Sequence, residues 1–326
     1  MHMCTAICFN NLFGRTLDHH KGYGETVTLT PRRARLSFKM LPAIEEHYVL
    51  LGMATVAEGV PLYYDAFNEH GLFMAGLLFA DNAVYLPSEK EKYNVAPYEL
   101  IPWILGQCPD LKAARALLTR VNLINEPFSK ELPLSPLHWI VADQSSALTL
   151  EPTAQGLKIH ENPIGILTNN PPFDYQMTHL TDYLNLTADY PADRFADGLL
   201  SPYSRGMGAM GLPGDWSSAS RFVRAAFAKK HSPADGGISS FFHCMDAVSV
   251  PEGVALSKEG TPIITRYTCC CDPAAGRYYY TTYENRRITA VSLEEEDLDA
   301  ARPISYSLIK EESICFQKSL DKARRL

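Results

Sequence analysis

Met3-Cys4-Thr5-Ala6-Ile7-Cys8-Phe9, followed by Phe13-Gly14-Arg15-Thr16-Leu17-Asp18, decides how the rest of this chain is read. Residues 5–9 alternate as a strand does. A cysteine at the head of that strand gains a second function if the residues before it are removed. Cys4 would then carry thiol and α-amine together, and an amine with an intrinsic pKa of about 7.7–8.0 is partly free at neutral pH. Such a chain end is a nucleophile and its own general base. The plain alternative is a small buried thiol, and position alone leaves both open.

Composition narrows the class. The 326 residues are 46% hydrophobic and 21% charged, enough for one large globular unit or two smaller ones. Net charge is −7. Positive charge comes in scattered pairs, Arg32-Arg33, Lys229-Lys230 and Arg286-Arg287, which argues against a nucleic-acid groove. No run of about 18 apolar residues suggests a membrane span, and no basic start with an apolar core suggests secretion. The expectation is a cytoplasmic protein with no nucleic-acid or membrane partner.

Eight cysteines are present, Cys4, Cys8, Cys108, Cys244, Cys269, Cys270, Cys271 and Cys315. None makes a C-x-x-C pair or a zinc-like spacing with histidine. Cys269 to Cys271 are consecutive, and on a strand they alternate faces and do not converge on one ion. Structural thiols in a reducing compartment are expected, with no metal and no cofactor.

Strand patterns fill the first third: residues 5–9, 25–30, and two apolar runs within 60–79 that flank the hairpin signal Asn68-Glu69-His70-Gly71. Residues 97–106 read as a short apolar helix kinked at Pro102. Asp110 caps a helix with Leu111, Ala114, Leu117, Leu118 and Val121 on one face. Residues 138–143 and 147–151 read as paired strands. Helices are expected over 174–186, 218–230 and 238–248, and a closing hairpin over 263–271 and 277–283. Strands, then helices, then strands favour packed antiparallel sheets flanked by helices. Gly206-Met207-Gly208-Ala209-Met210-Gly211 fits a dinucleotide fingerprint, but it runs into Leu212-Pro213-Gly214 instead of opening a helix. It reads as a Met-lined loop. Asn185-Leu186-Thr187 has no meaning as a sequon without secretion. His19-His20 reads as partly solvated surface.

Taken together, the segments resemble the choloylglycine hydrolase family of bile salt hydrolases and penicillin V acylases. The matching runs are Met3-Cys4-Thr5, GRTLD (14–18), YGETVTLTPR (23–32), NEHGLFMAGL (68–77), PLSPLHW (133–139), LTNNPPFDYQM (167–177), SRGMGAMGLPGD (204–215) and SSASRFVRAAF (217–227). They run in order from Met3 to about Ser292. The resemblance implies an α+β, four-layer αββα sandwich, the N-terminal-nucleophile hydrolase fold, as one domain over 4–326 with a C-terminal tail. It implies hydrolysis of glycine- or taurine-conjugated bile acids, with penicillin V or another N-acyl compound as the alternative substrate. A homotetramer is implied too.

Residue by residue, the resemblance makes Cys4 the nucleophile and Arg15 the charge that favours its thiolate. Asp18 would bond the α-amine, Asn169 would aim a side-chain N–H at the oxyanion, and Arg221 would belong to the same polar network. Without it, Asp18 and Arg221 read as an ordinary ion pair. Tyr64, Phe128, Leu132 and Leu134 lie in segments that border the acyl pocket in relatives. One position departs: Leu78 stands where bile salt hydrolases usually have asparagine and penicillin V acylases tyrosine. Only its backbone N–H can serve the oxyanion, and losing one donor costs on the order of 10²–10³ in turnover. The consequence is a slow enzyme, a substitute donor such as Asn82, a preference for another substrate, or a weakly active acyl-ligand-binding protein. The leader is the second departure. Either the natural start is Met3, with two residues added before it, or residues 1–3 are cut off autocatalytically. The sequence does not distinguish glycine from taurine conjugates.

Overall fold

A computed structural model describes residues 3–317 and 319, so Met1 and His2 of the expected leader, and the end of the tail, lie outside the described residues. Among the described residues the strands are β1 (Met3–Phe9), β2 (Leu12–His19), β3 (Glu25–Thr30), β4 (Leu50–Ala57), β5 (Val60–Asn68), β6 (Phe73–Leu78), β7 (Tyr93–Val95) and β8 (Val121–Leu123). They continue with β9 (Leu137–Ala142), β10 (Ala147–Thr153), β11 (Gly156–Glu161), β12 (Ile166–Leu167), β13 (Ile264–Asp272), β14 (Arg277–Thr282), β15 (Thr289–Ser292) and β16 (Ile304–Ser307). The helices are α1 (Leu100–Leu105), α2 (Leu111–Leu118), α3 (Phe173–Leu180), α4 (Ser218–His231) and α5 (Ile238–Asp246). No described helix is long and apolar enough to cross a membrane.

Two large sheets result, ordered β12-β1-β2-β13-β14-β15 and β11-β10-β9-β6-β5-β4-β3-β16. Every pairing within them is antiparallel. The sheets face each other, with Phe13 of one stacked on Phe73 of the other at 5.4 Å. Helices α4 and α5 cover the first sheet, where Phe9 meets Phe241 edge-on at 6.0 Å. Helix α1 covers the second against β5 and β6, and its apolar residues share a cluster with those of α2. The order is helix, sheet, sheet, helix, as expected. Each buried phenylalanine contributes about 1.5–3 kcal/mol by leaving water.

Local chemistry explains the details. Gly14 is needed because a Cβ there would lie 2.0 Å from the Cys269 carbonyl oxygen and 2.9 Å from the Phe241 ring. At the β5–β6 turn, Asn68 Oδ1 accepts from the His70 and Leu72 N–H groups. Its Nδ2 donates to the Leu105 and Cys108 carbonyls, both at 2.8 Å, which ties the hairpin to the end of α1. Asp110 caps α2 through the Ala113 N–H at 2.7 Å.

Some expectations change. The 97–106 helix is a 3₁₀ turn over Pro97–Glu99 followed by α1. Pro102 falls in the first turn of α1, where its missing N–H costs nothing. The 174–186 helix stops at Leu180 and continues as a 3₁₀ turn over Thr181–Tyr183. His19 is buried, not solvated. All eight cysteines are free, and six of them are buried. The Gly206 to Gly211 stretch holds only a 3₁₀ turn, Met207–Ala209.

Glu151 on β10 joins three strands and a helix. It touches His138 of β9 at 3.6 Å and His160 of β11 at 3.1 Å, and accepts the Phe173 N–H at the start of α3 at 2.8 Å. Burial pushes its carboxyl up, but His138, His160 and the Phe173 N–H outweigh that and hold it at about 2, against an ordinary 4.5. A depressed carboxyl stabilises the fold above its unfolded value and stops doing so as pH falls through its folded one. The difference corresponds to about 3 kcal/mol. Urea unfolding at stepped pH should therefore show stability falling by about that amount between pH 4.5 and 2. Glu151→Gln should flatten that limb, and an equally steep limb in the variant would contradict the assignment.

Candidate active site

Pairing of β1 with β2 sets Cys4 opposite Leu17, Ala6 opposite Arg15 and Met3 opposite Asp18. Side chains alternate along a strand, so Cys4 and Arg15 share the face between the sheets, while Asp18 and Thr5 face the α4 layer. Arg15 is 1% exposed and Cys4 2%. Arg15 Nη2 donates to Cys4 Sγ at 2.7 Å. Nη1 donates to the Gly76 and Tyr64 carbonyls at 2.5 and 3.3 Å, and Nε to the Thr16 carbonyl at 3.1 Å. In the same layer the buried Asp65 carboxylate takes the Tyr267 and Tyr278 hydroxyls at 2.7 Å each. Burial pulls the guanidinium's proton affinity down, but Cys4, Tyr267 and Asp65 more than offset it.

Arg15 does favour the Cys4 thiolate, but desolvation is the larger effect and Asp18 adds to it, so the Cys4 thiol is pushed up.

On the other face, the Cys4 N–H donates to Asn169 Oδ1 at 2.8 Å. Arg221 of α4 donates to the same oxygen at 2.7 Å, to Thr5 Oγ1 at 2.7 Å, and to the Cys4 carbonyl. Asp18 accepts Thr265 Oγ1 at 2.6 Å and Thr16 Oγ1 at 3.2 Å. Burial pushes its carboxyl up, opposed first by the Arg221 charge. Asn169 is itself seated by Ser218 Oγ, which accepts its N–H at 2.8 Å.

Leu78 joins this group through its backbone. The Phe79 N–H bonds the Pro136 carbonyl at 2.8 Å, and Leu78 stands opposite Leu137. Bonded and non-bonded pairs alternate along an antiparallel ladder, so Leu78 turns its N–H and C=O away from β9. Its C=O accepts Asn169 Nδ2 at 2.9 Å, so its N–H points to the same edge. One N–H of the Asn169 amide is thus committed to Leu78, leaving the second able to reach a substrate. Asn82 Nδ2 instead bonds the Ala80 carbonyl in its own turn at 3.4 Å.

The structure therefore brings Cys4, Arg15, Asp18, Asn169, Arg221 and the Leu78 backbone together. Tyr64 joins them through its carbonyl, and its hydroxyl bonds Thr55 at 2.8 Å. Phe128, Leu132 and Leu134 are half-buried in the 124–136 loop, where Phe128 meets the Tyr98 ring at 5.4 Å and Leu132 bonds Ser129. Thr265, Asp65 and Ser218 were not anticipated, because their roles depend on strand register and layer stacking. Among the described residues, no group of three or more His, Cys, Asp or Glu side chains could hold a metal ion.

Comparisons with known proteins bear on this cluster. Residues 4–306 match the model of a family of linear amide C–N hydrolases, the choloylglycine hydrolases. The chain is 46% identical over 317 residues to a bile salt hydrolase/transferase of Lactiplantibacillus plantarum, covering 95% of this chain and 98% of that protein. It is 34% identical over 317 residues to a conjugated bile acid hydrolase of Lactobacillus gasseri, with 93% and 100% covered. A mutant conjugated bile acid hydrolase from Clostridium perfringens superposes with a TM-score of 0.90 at 30% identity, over 98% of this chain and 100% of that one. A penicillin V acylase from Agrobacterium tumefaciens shares the fold, with a TM-score of 0.73 at 19% identity over 94% and 91%. The chain belongs to the choloylglycine hydrolase family of linear amide C–N hydrolases.

Proposed function

We propose that this protein hydrolyses the amide bond of glycine- or taurine-conjugated bile acids, releasing bile acid and amino acid, with Cys4 as nucleophile once residues 1–3 are removed. The observation that carries the reading is the placement of Cys4, its sulfur 2.7 Å from Arg15 and its nitrogen 2.8 Å from Asn169. The names of the relatives at 46% and 34% identity support the substrate class. A cytoplasmic location agrees with eight unpaired thiols.

In this reading the nitrogen freed at Cys4 takes the thiol's proton, and Asp18 on the neighbouring strand stabilises the resulting ammonium. The thiolate attacks the substrate carbonyl. The Leu78 N–H and the second N–H of Asn169 receive the charge that develops on oxygen, while Arg221 holds Asn169 in place. The ammonium returns its proton to the leaving amino group, and a thioester remains. The same amine then deprotonates a water, which releases the bile acid. Tyr64, Phe128, Leu132 and Leu134 supply apolar surface for the steroid, recognised at about 25 cal/mol per Å² buried.

A homotetramer is supported by the 184–210 segment, which exposes Leu184, Phe195, Leu199 and Tyr203 by 83–97%. Apolar side chains gathered on one segment mark an interaction surface, and a second copy of the chain fits a family whose resemblance implies assembly.

Four outcomes follow. In side-by-side kinetics a conjugated bile salt should have a higher kcat/KM than penicillin V, and the intact mass of active protein should correspond to a chain starting at Cys4. Penicillin V as the better substrate would overturn the substrate class; active protein retaining residues 1–3 would overturn the amine base. Leu78→Asn should raise turnover about tenfold, less than a whole missing donor would give because the backbone N–H already serves; unchanged turnover would mean another group fills the role. Light scattering should give four chains, and Phe195→Ser with Leu199→Ser should release smaller species. A monomeric wild type would refute the assembly.

A further inference from the structure

The segment carrying Asn169 is gripped at both ends by one buried carboxylate and its histidine. Glu151 Oε1 accepts the Phe173 N–H at 2.8 Å, four residues past Asn169. The same oxygen lies 3.6 Å from His138 Nδ1, farther than a hydrogen bond reaches. The opposite nitrogen, Nε2, meets the Thr168 carbonyl at 2.9 Å, one residue before Asn169. A carbonyl only accepts, so Nε2 carries a proton and the ring's orientation is set. The His138 ring also stacks on Phe79 at 4.4 Å and 7°, beside Leu78. On the far side, Glu151 Oε2 takes His160 Nε2 at 3.1 Å, and His160 Nδ1 lies 3.1 Å from Asp174.

Both side chains are buried, and their hydrogen bonds run to Thr168, His160 and Phe173 and not to Cys4. Burying a carboxylate costs desolvation that an apolar residue of the same volume would avoid, so the pH-dependent stabilisation that Glu151 gives does not by itself account for its place here. We propose that Glu151 and His138 are positioning residues of the oxyanion site, fixing the 168–173 segment and the Phe79 end of β6 in register. Asn169 and the Leu78 N–H are thereby aimed at one oxygen. The inference rests on the assignment of those two groups to the oxyanion.

Two reactions of Cys4 separate this role from a structural one. Amide hydrolysis passes through an oxyanion; alkylation by iodoacetamide displaces iodide at carbon and forms none. In mature Glu151→Gln and His138→Gln, kcat on glycocholate should fall about 10–100-fold, as expected when a reacting geometry slips by about 1 Å. KM should stay within about twofold, and the alkylation rate of Cys4 should not change. Using both variants keeps the test open if one fails to fold. Unchanged kcat in a folded variant would overturn the proposal, and so would equal loss of both reactions. Asn169→Ala, assayed alongside, separates the two failures. If it loses hydrolysis while the other variants keep it, only the positioning role is wrong; if it keeps hydrolysis, the oxyanion assignment falls and this inference with it.

Discussion

A guanidinium buried between two sheets has to find an acceptor for each of its donors, and the architecture around Cys4 follows from how Arg15 does so. Its acceptors come from both sheets: the Cys4 sulfur and Thr16 carbonyl on one, the Tyr64 and Gly76 carbonyls on the other. Those last two are available because β5 and β6 stop pairing beyond Asp65 and Ala75. Tyr64 is also the extra residue of a bulge against β4, where the register slips between Met53 and Ala54. Bulges of this kind re-aim groups next to functional sites. The opening that serves Arg15 also frees the β5-facing edge of β6, where Leu78 presents its N–H. The burial of the Arg15 charge and the unpaired Leu78 edge thus share one structural cause.

The electrostatics fit a nucleophile that waits. Burial outweighs Arg15 and pushes the Cys4 thiol up. Two carboxylates, Asp18 and Asp65, and two guanidinium groups, Arg15 and Arg221, sit in adjacent layers. Losing any one of the four leaves an uncompensated buried charge, far costlier than replacing a pair.

How much of this the sequence disclosed depended on distance along the chain. Cys4, Arg15 and Asp18 lie on consecutive strands joined by a tight turn, so alternation puts Cys4 and Arg15 on one face, and the pairing of β1 with β2 brings Asp18 alongside on the other. Asn169 and Arg221 reach Cys4 across 165 and 217 residues, and only the family resemblance pointed to them. Glu151, Asp65 and Thr265 were invisible, because sheet order and register decide what a buried polar side chain meets. The 174–186 helix was drawn too long because its apolar spacing continues after the backbone tightens to 3₁₀. Phe128, Leu132 and Leu134 came from the resemblance alone; in the structure Phe128 meets Tyr98 and Leu132 bonds Ser129.

The central claim is that one residue, Cys4, supplies both nucleophile and base at the chain end. Acid-quenching the enzyme during turnover of glycocholate, followed by digestion and mass spectrometry, tests it most directly. The account predicts a thioester, seen as a mass increase equal to the substrate's acyl part, on a peptide that begins at Cys4. An adduct on another cysteine, or on a peptide in which Cys4 is still preceded by Met3, would contradict it.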